Sequence, residues 1–234
     1  MKITAVDPSP RRPDWWHISL DDAYAFSLDG ATVIAEALVP GRELTDEEVE
    51  RLRALAEESR LMEAALSFLT VRPRSRAEVR RRLLQPRRKR TAPPAEAVDR
   101  VLDRLAEKRL LNDREFADYW VEQRERFSPR SSYALAQELR QRGVDRETSD
   151  AVVDAERDSQ RALDAARTRL RALTGADFQT FRAKLTAFLQ RRGFSYGIAR
   201  ETVRALWEET GGMNPDEADD DIDDIDDIDD CDAP

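Results

Sequence analysis

From residue 61 onward the apolar positions recur at the spacing of a helix. Leu61, Ala65, Leu66 and Leu69 share one face, and Val98, Val101, Leu102 and Leu105 form an i, i+3, i+4, i+7 stripe. Residues 2–40 read differently. "KITAV", "WWHISL" and "AYAFSL" are short, partly alternating, and rich in β-branched or aromatic residues, with "DPSPRRPD" and "DD" between them as turns. The pattern predicts a small strand-turn-strand unit there. It continues into a short helix over "ATVIAEALV" that stops at Pro40-Gly41. Thr45 and Glu48 form a capping box opening a helix that runs through Ala54.

The helical part repeats itself. "RPRS" (72–75) and "SPRS" (128–131) lie 56 residues apart, as do Val79 and Leu135, and Leu83 and Leu139. Leu185 and Leu189 lie a further fifty residues beyond Leu135 and Leu139. Each unit has three helices. Ser75 with Glu78 caps "SRAEVRRRLL", Asn112 caps "REFADYWVEQR", and Ser131 or Ser132 caps "YALAQELRQR", with "RETSDAVVDAER" as the third helix of its unit. The last unit reads "RALDAARTRLRAL", "FQTFRAKLTAFLQRR" and "SYGIARETVRALWEE". Gly143 and Gly193 end the middle helices of two copies, where a left-handed residue closes a helix and glycine takes that conformation freely. Arg87 holds the corresponding slot in the first copy.

The expected fold is therefore mainly α: three tandem three-helix repeats in an extended curved array, nine main helices in all. The divisions are an N-terminal extension with short strands (1–60), repeats over 61–111, 112–158 and 159–210, and a disordered acidic tail (211–234). The charge is segregated in the same way. Residues 1–60 carry −6, residues 61–213 carry +9, and residues 214–234 carry −12, which together give the net −9. The tail, built on Asp-Asp-Ile triplets, reads as an electrostatic competitor lying over a basic array. No apolar run is long enough for a membrane span and no secretory leader opens the chain, which reads as soluble and cytoplasmic.

Catalysis finds little footing. The one histidine, His17, falls in a strand, with no Ser–His or Cys–His pairing, glycine-rich phosphate loop or metal cluster to join. The reading is of a non-enzyme without cofactor or metal. The arginines are the stronger signal. Residues 72–90 hold Arg72, Arg74, Arg76, Arg80, Arg81, Arg82, Arg87, Arg88, Lys89 and Arg90, opposed only by Glu78. Arg124, Arg126, Arg130, Arg140 and Arg142, then Arg182, Lys184, Arg191 and Arg192, repeat the habit more weakly. All are candidate contacts to a polyanion, which the guanidinium fork suits. Among nearby aromatics, Trp120 and Phe194 read as core, while Tyr133 and Tyr196 fit either packing or stacking on unpaired bases.

At "LLNDREFADYWVEQRERFSPRSSYALAQELRQRGV" the chain resembles the RecX family of bacterial RecA regulators. Leu110, Leu111, Asn112, Asp113, Phe116 and Ala117 carry the resemblance, with Arg126, Arg130, Glu138, Leu139, Arg140, Arg142 and Gly143. Arg72, Ser75, Glu78 and Val79 match the family's first module, and the N-terminal segment its β-containing extension, so the likeness reaches to about residue 210. The basic loop after Leu84 and the polyacidic tail depart from the family pattern. The resemblance implies three three-helix modules lying in the groove of the RecA–DNA filament and bridging RecA subunits. It implies inhibition of filament growth, ATPase and strand exchange, and a damped SOS response. The implied partners are the RecA filament and single- and double-stranded DNA bound without sequence preference, by a monomer. A sequence-specific helix-turn-helix transcription regulator is the competing reading. Against it, "SYALAQEL" and "RETSDAVV" offer few base-reading side chains at their helix starts.

Overall fold

In the computed structural model, residues 1–10, 12–85 and 91–211 are described. The basic-loop residues Arg87, Arg88, Lys89 and Arg90 and the acidic tail lie outside them. Two compact units are present. Among the described residues, one comprises those up to Phe116 together with Arg142–Val144, and the other comprises Ala117–Gln141 and those from Asp145 on.

The first unit opens with an antiparallel sheet of β1 (Ile3–Pro8), β2 (Trp15–Leu20) and β3 (Ala23–Asp29) in that order. Asp21 and Asp22, both at positive φ (46° and 65°), form the two-residue turn between β2 and β3. That geometry matches the twist of the flanking strands. Ile3, Ile18, Leu20, Phe26 and Leu28 bury one face of the sheet with Val33 of α1 (Gly30–Ala35) and Val49, Leu52 and Ala56 of α2 (Asp46–Leu69).

Two boundaries differ from the pattern reading. α1 ends at Ala35, well before Pro40, because Ala37 turns left-handed (φ 49°). Its N–H and that of Leu38 close back on the carbonyls of Ile34 and Val33. α2 does not stop near Ala54. It opens on the Thr45–Glu48 capping box and runs for 24 residues, joining two stretches that the sequence reads as separate helices. Its first half serves the sheet. Its second half, through Leu61 and Ala65, serves a core with Val79 and Leu83 of α3 (Arg76–Leu84) and Val98, Val101, Leu102 and Leu105 of α4 (Ala95–Glu107).

α5 (Asp113–Phe127) starts where Asn112 Oδ1 accepts the N–H groups of Arg114 (2.9 Å) and Glu115 (3.4 Å). α6 (Ser132–Gln141) is capped by Ser131, whose Oγ accepts the Ala134 N–H at 3.2 Å. Leu135 and Leu139 are fully buried. α7 is only Arg146–Ala151, shorter than the expected "RETSDAVVDAER". Beyond it Asp154 caps a single 3-10 turn, and the Asp158 carboxylate takes the N–H and hydroxyl of Ser132. Those side-chain bonds compete with helix continuation and win. α8 (Asp158–Arg167), α9 (Phe178–Arg191) and α10 (Tyr196–Glu209) then bury Ala162, Ala166, Phe181, Leu185, Leu189, Val203 and Leu206 together. Strands among the described residues are confined to residues 3–29, and from residue 61 on every regular element is a helix.

The repeated glycine has two causes, and both are geometric. Gly143 (φ 84°) and Gly193 (φ 89°) take the left-handed closing conformation. Each also lies against the start of an earlier helix. In the first unit, Ser75 Oγ donates to the Arg142 carbonyl at 2.6 Å, and a Cβ on Gly143 would fall 2.2 Å from that of Ala77. In the second unit, the Ser131 N–H donates to the Arg192 carbonyl at 3.2 Å, and a Cβ on Gly193 would meet Ser131 Oγ at 2.6 Å and the Ala134 Cβ at 2.8 Å.

Gly41, also left-handed (φ 96°) but with nothing within 4 Å of its missing Cβ, separates the two causes. Gly41→Ala should cost about 1–2 kcal/mol from backbone strain alone. Gly143→Ala should cost clearly more. Urea unfolding followed by circular dichroism checks it, and equal costs would mean that the approach to Ala77 carries no weight.

Candidate nucleic-acid interface

The candidate cations do not gather into one site, and many are held by carboxylates. In the first unit Arg72 and Arg142 both reach Glu78 (3.2 and 2.8 Å). That occupies the carboxylate which the sequence suggests for a capping box: Ser75 accepts the Glu78 N–H, while the Glu78 side chain turns to the arginines. Arg76 pairs with Asp103 (2.7 Å), and Arg80 grips Asp99 with two bonds (2.8 and 3.2 Å). This fork holds the Asp99 carboxyl below its ordinary pKa and raises that of Arg80. Arg74 lies over the Phe68 ring at 4.1 Å and Arg82 at 5.8 Å. Arg81 is exposed and pairs with no carboxylate among the described residues.

In the second unit Glu138 is shared three ways. Arg124 Nε approaches at 2.8 Å, Arg130 Nε at 3.0 Å, and the Trp120 indole donates at 2.9 Å. Trp120 is thereby a packing residue, as is the buried Phe194. Arg140 pairs with Asp150 (3.0 Å), and Arg182 bonds the Gln179 side chain (3.0 Å). Arg126 covers its exposed neighbour Phe127, and Lys184 and Arg191 point outward; none of the three meets a carboxylate among the described residues. Tyr133 and Tyr196 are exposed too.

Three features escape sequence reasoning. Arg169, absent from the candidates, lies 4.8 Å above the Phe188 ring, beside Arg192 at 4.6 Å. Burial lowers the Arg192 pKa, and the neighbouring charges of Arg130, Arg169 and Arg124 lower it further. No linear motif marks that convergence, although the repeat register aligns its parts. Second, His17 does have a serine partner: Nδ1 lies 2.7 Å from Ser27 Oγ, which also bonds Tyr24 OH at 2.9 Å. The register of β2 against β3 brings them together. The described residues supply no carboxylate to orient His17 as a base, so the trio reads as a polar contact on the sheet. Third, a groove of about 1400 Å³ runs between that sheet face and α2. Its Arg12, Arg53 and Arg60 are already paired with Glu63, Glu50 and Glu57.

Among the described residues no group of His, Cys, Asp and Glu could hold a metal, and no helix is long and apolar enough to cross a membrane. Tandem three-helix units with docked glycine turns and outward-facing cations define a helical-repeat protein. The second and third three-helix domains of RecX match residues 112–153 and 156–203. "Regulatory protein RecX" of Streptomyces coelicolor is 39% identical over 149 residues, covering 62% of this chain and 77% of that protein. That of Bacillus subtilis is 31% identical over 202 residues, covering 84% and 74%. A crystal structure of regulatory protein RecX superposes with a TM-score of 0.64 at 21% identity, over 85% of this chain and 97% of that one, a likeness of fold. The chain belongs to the RecX family of regulatory proteins.

One arginine in this unit is structural. Arg161, only 4% exposed, binds Glu125 (2.7 Å), Asp158 (3.1 Å) and the Asp154 carbonyl (2.5 Å). Arg161→Ala leaves two carboxylates without their buried partner and should cost about 3–5 kcal/mol in thermal or urea unfolding. A loss below 1 kcal/mol would remove Arg161 from the structural set.

Proposed function

We propose that this protein is a negative regulator of RecA. It binds the RecA–DNA filament, in its groove or at its growing end, and inhibits extension, ATPase and strand exchange, modulating recombinational repair and the SOS response. It acts without catalysis, in the cytoplasm, as a monomer. DNA, single- or double-stranded, is bound through phosphates and without sequence preference. Family membership supports the regulatory role. The single observation that carries the DNA part is that several cations have no carboxylate partner among the described residues: they include Arg81 and Arg82 in the first unit and Arg126, Arg169, Lys184, Arg191 and Arg192 in the second. Bidentate or point-charge contact with phosphate costs such groups no internal ion pair.

Three repeats over 61–111, 112–158 and 159–210 engage successive subunits. Weak contacts along one chain then add through effective concentration. The acidic tail, carrying −12 against the +9 of residues 61–213, competes with DNA for the cations.

RecA ATPase during filament growth on single-stranded DNA is the test. Wild type should inhibit well below one copy per RecA, because one bound copy halts a growing end. Binding to an oligonucleotide should weaken with salt at a log–log slope of roughly −3 to −5, for four to six neutralised phosphates. Changing Arg81, Arg126, Lys184 and Arg191 together to Ala should reduce both effects more than changing Arg76, Arg80 and Arg140, whose charges are internally balanced. Inhibition only at one-to-one or above, or a footprint at one DNA sequence, would overturn this reading.

A further inference from the structure

The two docked glycine turns differ in one charge. Position 78 is the third residue after the capping Ser75, and position 134 the third after the capping Ser131, with the same 56-residue offset. In the first unit position 78 is Glu78, which Arg142 (2.8 Å) shares with Arg72 (3.2 Å). In the second unit position 134 is Ala134. Arg192, the counterpart of Arg142 before the glycine, bonds instead to the Pro129 carbonyl (2.8 Å) and Ser128 Oγ (3.3 Å), both neutral.

A second replacement goes the same way. Position 138 is Glu138, and fifty residues on, position 188 is Phe188. Arg169 and Arg192 therefore rest on an aromatic face where Arg124 and Arg130 have a carboxylate. The result is a group of four guanidiniums of which Arg124 and Arg130 alone reach a carboxylate, Glu138. Burial and the three neighbouring arginines push the Arg192 pKa down, which is how a cation cluster lacking counter-charge behaves. Beside it the segment 126–133 carries two exposed aromatics, Phe127 (71% exposed) and Tyr133 (64%).

We propose that Arg124, Arg130, Arg169 and Arg192 form a binding site for backbone phosphate of single-stranded nucleic acid, with Phe127 and Tyr133 available to stack on its bases. The fixed fork of Arg suits a phosphate oxygen pair, and a stacking surface beside a cationic groove is what unpaired bases require. An acidic protein segment would satisfy the cations but not the exposed rings. The groove between the sheet and α2 is the weaker candidate, since three of its four arginines, Arg12, Arg53 and Arg60, are balanced by glutamates and Arg82 alone of the four is not. The proposal rests on the DNA-binding part of the reading above and adds a phosphate site to the outward-facing cations named there.

The test removes the site without removing its central arginines. Ala134→Glu installs the carboxylate that the first unit already has, and Arg169→Ala removes one exposed cation. Each full-length variant is titrated against a fluorescent oligothymidylate without RecA, with circular dichroism reporting the fold. Both should bind roughly five- to tenfold more weakly, with a salt slope shallower by about 0.7 for each lost phosphate contact. If the tight turn rejects Glu at 134 and that variant unfolds, Arg169→Ala decides alone, against Arg169→Lys, which should recover most of the binding. Folded variants that bind as wild type would overturn the site. Unchanged oligonucleotide binding with lost RecA inhibition would place the cluster against protein, sinking this proposal while sparing the regulatory reading. Wild type that binds no oligonucleotide would sink this proposal and the DNA contact it rests on.

Discussion

Everything in the helical part depends on one joint, a helix end seated on an earlier helix start. The capping serine hydroxyl or amide meets the carbonyl before the glycine, and the glycine leaves room where any Cβ would collide with Ala77 or with Ser131 and Ala134. Short helices such as these bury too little apolar surface to stand alone, so they need a fixed partner. The joint supplies it. Ser75 and Ser131, both essentially inaccessible, satisfy buried polar groups that would otherwise be stranded at a packed interface.

Once the backbone of this joint is fixed, the side chains around it are free to vary, and they vary in charge. At Gly143 the neighbouring Arg142 has a carboxylate, Glu78, which it shares with Arg72; at Gly193 the neighbouring Arg192 bonds a carbonyl and a hydroxyl. Two copies of one geometry thus present different electrostatics, one with a carboxylate at the turn and one without. Contact with a polyanion would need the second kind of surface, whereas folding needs neither charge pattern.

The sequence exposes the joint but not its reason. Helical stripes such as Val98–Leu105, the offsets linking Val79, Leu135 and Leu185, and the Thr45 capping box are local patterns, and the structure follows them. The positive φ at Gly143 and Gly193 is legible for the same cause. Their close approach is not, since it requires knowing that residues 67 apart, Ser75 and Arg142, are partners. The failures have the same origin. α7 is cut short by the bonds of Asp154 and Asp158, the latter to Ser132, 26 residues away. Counting arginines near 72–90 marks a basic stretch but cannot tell Arg80, locked to Asp99, from Arg81, which faces solvent. Arg169 is invisible to a run-based search because its cluster is assembled across the fold.

The central claim is that nucleic acid is contacted where cations outnumber their carboxylate partners, as around Glu138 and Arg192, and not where each cation has a carboxylate to itself. Amide hydrogen exchange of the full chain, with and without saturating oligothymidylate, tests it most directly. The account predicts slowed exchange in the segments around Arg126–Tyr133 and Phe188–Phe194, with little change over Arg146–Ala151. Protection confined to β2, β3 and the facing part of α2, with the arginine segments unchanged, would contradict it.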